Sequence, residues 1–145
     1  MPAINEDLWP DLNLAPVVTP LSILREQAAL LGKRTKGVLR GEVETWGAGE
    51  RISNSFHIVV PSLGDYKYTL FSVHYFPTGY PVYVDMKPYT SISEINLASE
   101  INPIEMPSTS RRIANENEFR NWLRLIFHSD EVKSIVENLY AQAST

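Results

Sequence analysis

Residues 67–87 read KYTLFSVHYFPTGYPVYVDMK, and this stretch decides the fold. Thr, Tyr, Phe and Val dominate both halves, and these residues suit a pleated, half-buried surface. Between the halves, Phe76, Pro77, Thr78 and Gly79 place proline second and glycine fourth, the pattern of a type I turn. The stretch therefore predicts a hairpin with strands over 67–76 and 81–87 and with Val82, Val84 and Met86 on one face.

Upstream, the same period of two continues. Phe56, Ile58 and Val60 form the inward set of a strand that Pro61 ends, followed by a turn at Leu63, Gly64 and Asp65. Before it, Leu39, Gly41, Val43 and Thr45 alternate with Arg40, Glu42, Glu44 and Trp46, and Gly47 to Glu50 turn the chain. Strands this close leave no room for helical crossovers, so the sheet is predicted to be a four-stranded antiparallel meander.

The flanks switch to helical spacing. Thr19 suits an N-cap and Pro20 a first turn; Leu21, Leu24, Ala28 and Leu31 follow, and Gly32 is placed to end a helix over 20–31. Asn115 with Glu118 resembles a capping box, ahead of Phe119, Trp122, Leu123, Ile126 and Phe127 on one face. Ser129 caps a last helix whose expected buried face is Val132, Ile135, Val136, Leu139 and Tyr140. A block of strands between helices defines the α+β class: N-terminal helix, four-stranded meander, linker, and two C-terminal helices packed on the sheet. Residues 1–18 read as an arm, expected to dock on its own core, and 19–145 as one α+β domain. Within it, 88–114 is an irregular linker with a short helix or edge strand expected around Ile92–Ile101.

Composition narrows the functions. The chain has 145 residues, a net charge of −4 and no cysteine, which excludes disulfide scaffolds, Cys-ligated metals and cysteine nucleophiles. Thirteen Lys and Arg against seventeen Asp and Glu supply no overall attraction to nucleic acid. No apolar run reaches the ~18 residues of a membrane span, and the acidic start is unlike a signal peptide, so the expectation is a cytoplasmic protein with no membrane partner.

Asp65 and the Asp85-Met86-Lys87 tripeptide form the sharpest enzymatic hint. With the preceding helix and meander they resemble the PD-(D/E)xK nuclease core; the resemblance implies two carboxylates on Mg²⁺ and a lysine beside the attacking water. Asp85 and Lys87 fall two apart on a strand, hence on one face. His57 and His74 could line a face with Glu42, Glu44 or Asp85, but without metal-motif spacing they read as partly exposed strand residues, and no metal site is assigned. His128 reads as a helix C-terminal interaction. Lys33, Arg34, Lys36 and Arg40 make a basic cluster that complements the end of the first helix. No Gly-x-Ser-x-Gly or P-loop occurs.

Alternation sends about half of the hairpin's aromatic residues to the face opposite Val82 and Val84. Tyr83 should lie there beside Asp85 and Lys87, and with Trp9 of the arm it is a candidate partner contact. The leading expectation is a non-enzymatic interaction or regulatory domain with a protein partner or a second copy, needing no cofactor. The alternatives are the Mg²⁺-dependent nuclease or phosphodiesterase, and a small-ligand pocket between the sheet and the first helix.

Overall fold

The computed structural model describes residues 6–14, 17–86 and 110–145. Helix α1 spans Pro20–Arg34; strands β1 Arg40–Ala48, β2 Arg51–Val60, β3 Tyr66–Phe76 and β4 Gly79–Met86 follow. A short strand β5, Arg111–Ile113, precedes helices α2, Glu116–Phe127, and α3, Asp130–Ala143. The sheet has five antiparallel strands in the order β1-β2-β3-β4-β5. The class is α+β, with one strand more than the sequence suggested: the end of the supposed linker pairs with β4, placing Ile113 opposite Val82. The segment expected to hold a helix or edge strand, Ile92–Ile101, lies outside the described residues.

Helix caps follow the residues that suggested them. Thr19 Oγ1 accepts from the Ser22 amide at 3.0 Å while Ser22 Oγ accepts from the Thr19 amide at 2.9 Å, a reciprocal capping box. Asn115 Oδ1 accepts from the Glu118 amide at 2.9 Å, and the Glu118 carboxylate reaches back to the amide of Ala114. Helix α1 does not stop at Gly32. It runs on to Arg34, where Lys36 and Gly37 turn at positive φ and the Gly37 amide donates to the Gly32 carbonyl at 2.8 Å. The Thr35 hydroxyl then ties this turn to β1, accepting from the Leu39 amide at 3.1 Å.

All three described α-helices cover one face of the sheet. Ile23, Leu24 and Ala28 of α1, Phe119, Trp122 and Leu123 of α2, and Val132 and Leu139 of α3 join one core with Phe56, Phe71, Val73, Val82 and Val84. Phe71 sits at its centre, with ring centroids 5.4 Å from Phe56 and 5.0 Å edge-on from Trp122. Burying each such side chain contributes roughly 1.5–3 kcal/mol. Tyr140, expected in the buried face of α3, is exposed.

A bulge in β3 changes the distribution of aromatic residues. Phe71 pairs with Phe56 and Thr69 with His57, so Leu70 is an extra residue between them. Tyr68 before the bulge and Phe71 and Tyr75 after it therefore all reach the helix-covered side. Strict alternation would have split them. The opposite face keeps Trp46 and Tyr83 and is otherwise lined mainly by polar side chains.

Candidate functional site

That opposite face is built from cross-strand rows. Trp46, Ser53, His74, Tyr83 and Arg112 are successive partners across all five strands, and Glu44, Ser55, Ser72 and Asp85 form the next row. Ser53, Ser55, His57, His74 and Asp85 are buried, so each polar group needs a partner. His74 Nε2–H donates to Asp85 Oδ2 at 2.9 Å and its Nδ1 accepts from the Ser53 hydroxyl at 2.8 Å. Ser110 donates to the other Asp85 oxygen at 2.7 Å. Alongside, His57 bridges Thr69 at 2.8 Å to Glu44 at 3.0 Å, and Ser55 meets Ser72 at 2.8 Å.

Serine, imidazole and carboxylate in that order are the parts of a hydrolase triad. Here, however, Ser53 has 0% exposure and sits on a regular strand, where no substrate can meet its hydroxyl. The chain of bonds ties β2, β3, β4 and the residue leading into β5 together. Its chemistry is that of a satisfied buried network, which becomes costly when one member is removed. Both histidines are buried, not partly exposed as the sequence suggested. Among the described residues, no three His, Cys, Asp or Glu side chains converge as a metal site.

Of the nuclease-like residues, Asp65 and Asp85 are not brought together. Asp65 is exposed at positive φ in the turn before β3, whereas Asp85 pairs with Ser72 near the middle of that strand. At ~3.3 Å per residue, roughly 20 Å of strand separates them. Lys87 lies outside the described residues. Tyr83 is half-buried on the face away from the helices, as alternation predicted, opposite His74 and Arg112. His128 caps α2, its Nδ1–H donating to the Arg124 carbonyl at 2.8 Å.

The second feature lies on the helix-covered side. Between the C-terminal half of α1 and helix α3 runs a groove of about 710 Å³. Phe56, Ile58 and Leu70 lie buried beneath it; Leu30 and Leu31 wall one side, Val132 and Val136 the other, so the apolar surface it offers is chiefly that of Leu30, Leu31 and Val136. The bulge that adds Leu70 to this face thus places it beneath the groove. At the rim, Arg34 of α1 is accompanied by exposed Lys33 and Lys36, while on α3 Lys133 lies between Asp130 and Glu137. Neither Arg34 nor Lys133 has an ion-pair partner among the described residues.

The described part of the arm does not dock on its own core. Leu8, Trp9 and Leu12 are 84%, 77% and 57% exposed, and Leu14 and Val17 are equally bare. Its acids, Glu6, Asp7 and Asp11, are interspersed with these apolar side chains.

The fold and these two features define a class, an α+β domain with a five-stranded antiparallel meander, helices on one face and an open apolar groove between two of them. Comparison with protein-family models, with curated proteins and with solved structures finds no match for this chain. No described helix is long and apolar enough to cross a membrane.

Sequence reasoning missed both the Ser53–His74–Asp85–Ser110 chain and the groove. A signal for the first exists in the period-two run of Ser53, Ser55 and His57 and its counterpart Ser72 and His74, which marks a polar strand face. The groove has no such signal, because it depends on how far α1 and α3 stand apart.

Proposed function

We propose that this chain is a non-enzymatic interaction domain whose recognition surface is the groove between α1 and α3, and that it takes a short peptide segment carrying large apolar side chains and acidic residues. The observation that carries this reading is the groove itself. Its volume of about 710 Å³ falls within the ~300–1,000 Å³ of pockets that enclose compact ligands. It combines apolar walls with the cationic end of α1, where Arg34 has no described ion-pair partner, and faces Asp130, Lys133 and Glu137 across the groove on α3. An amphipathic segment laid between the helices buries apolar area on the walls at Leu30, Leu31 and Val136 and places its charges at the rim. The polar face on the other side of the sheet offers less, since its buried groups already satisfy one another.

The test uses 8-anilinonaphthalene-1-sulfonate, a probe with an apolar ring system and one negative charge, on the chain at a dilution where sedimentation velocity finds it monomeric. Dye fluorescence should rise with the natively folded chain, whose thermal unfolding stays cooperative. Val136→Arg, which projects a charge into the groove, should weaken binding at least tenfold, and Arg34→Glu should weaken it less. Absence of binding, or binding indifferent to both substitutions, refutes the reading.

A further inference from the structure

The arm and the groove are complementary, and they belong to the same chain. We infer that the groove's occupant is the segment Glu6–Leu14 of a second copy, exchanged reciprocally in a symmetric dimer; this rests on the groove being the recognition surface. The arm presents Leu8, Trp9, Leu12 and Leu14 to solvent, an apolar run of the kind that marks an interaction site. Glu6, Asp7 and Asp11 are its only charged side chains, all negative. The groove offers Leu30, Leu31 and Val136 to apolar side chains, and its α1 end offers Arg34, with Lys33 beside it, to anions, while Asp130 and Glu137 flank Lys133 on the α3 side. Each copy therefore carries one acidic, apolar arm and one groove whose α1 end matches it in charge.

Place in the fold supports exchange between copies. The arm enters α1 at Pro20, whereas the groove begins at Gln27 and extends past Arg34 at the other end of that helix. In the structure the arm is bare and does not lie in its own groove. Reciprocal exchange fills both grooves with one twofold operation and leaves neither arm over, which closes the assembly at two. The Asp7 side chain already shapes the arm, accepting from the Trp9 amide at 3.0 Å.

The experiment is a charge swap on the full chain, read by sedimentation velocity. The arm variant combines Asp7→Lys and Asp11→Lys; the rim variant combines Lys33→Glu and Arg34→Glu. Wild type should dimerise, and each variant alone should associate at least tenfold more weakly with its thermal midpoint retained. An equimolar mixture should recover a one-to-one heterodimer, because each altered surface meets a complementary one. Trp9→Ala, at a side chain that is 77% exposed, is the variant that cannot fail through folding, and it too should weaken the dimer at least tenfold.

A monomeric wild type at every attainable concentration overturns the inference, as does a dimer unaffected by either swap or a mixture that stays monomeric. If wild type is monomeric while the dye still binds and Val136→Arg still abolishes it, exchange fails and the groove remains a recognition surface. If the dye result fails, both fall.

Discussion

Gly41→Ala probes the contact that sets the position of α1. A Cβ placed on Gly41 would stand 2.4 Å from the Ala28 Cα and 2.7 Å from both its Cβ and its carbonyl oxygen. Ordinary contact begins near 3.4 Å, so the helix must back away by about 1 Å, opening gaps around Ile23 and Leu24 that a close-packed core does not tolerate. Overpacking of this kind costs about 1–3 kcal/mol. Replacing glycine returns about 0.4–1 kcal/mol by restricting the unfolded chain, since Gly41 is not at positive φ and alanine can take its backbone conformation. The net expectation is a loss centred on about 1.3 kcal/mol and at most about 2.6 kcal/mol, or a thermal midpoint lower by roughly 3–5 °C and at most about 10 °C for a chain of this size. Scanning calorimetry measures it. Ala28→Gly should not rescue Gly41→Ala, because the nearest atoms are backbone. Dye binding should also change, since α1 walls the groove. An unchanged midpoint, or full rescue by Ala28→Gly, would refute the argument that main-chain proximity fixes the helix.

Three further outcomes are expected. Asp85→Ala leaves His74 and Ser110 without their shared acceptor in a buried setting and should cost about 2–4 kcal/mol in urea unfolding, with Asp85→Asn costing less; a loss below about 0.5 kcal/mol would show the network to be dispensable. Burial, then repulsion from Glu116, pushes the Tyr80 hydroxyl up to about 12, and this hydroxyl has no hydrogen-bond partner among the described residues. Below pH 10 both states keep the proton; between pH 10 and 12 the unfolded chain loses it first, so stability falls as pH rises, by at most about 1.4 kcal/mol per unit. Tyr80→Phe should therefore be neutral or stabilising at pH 7 and should decline less between pH 10 and 12, and parallel declines in the two proteins would contradict the assignment. Tyr83→Ala should leave the arm-dependent dimer intact, whereas a dimer lost with Tyr83 and kept with Trp9→Ala would move the interface to the polar face.

The elements were legible in the sequence because each is set by neighbours in the chain. Thr19-Pro20, Asn115 and Ser129 mark helix starts through bonds closed within a turn, and Pro77 with Gly79 closes the hairpin between β3 and β4 through local backbone geometry. The face of Val82 and Val84 followed from alternation alone. Strand β5 escaped notice because three residues carry no period, and it exists through pairing with β4. The extra residue at Leu70 likewise has no local signature, yet it brings Tyr68 and Phe71 to one face and places Leu70 beneath the groove. Asp65 and Asp85 looked like partners in one dimension and are separated by the length of a strand in three. What the amino-acid sequence determined by itself were the helices, the turns, the α+β class and the acidic, apolar character of the arm. The register, the buried Ser53–His74–Asp85 chain and the groove between α1 and α3 were decided by tertiary structure, since each depends on contacts between residues far apart in the chain.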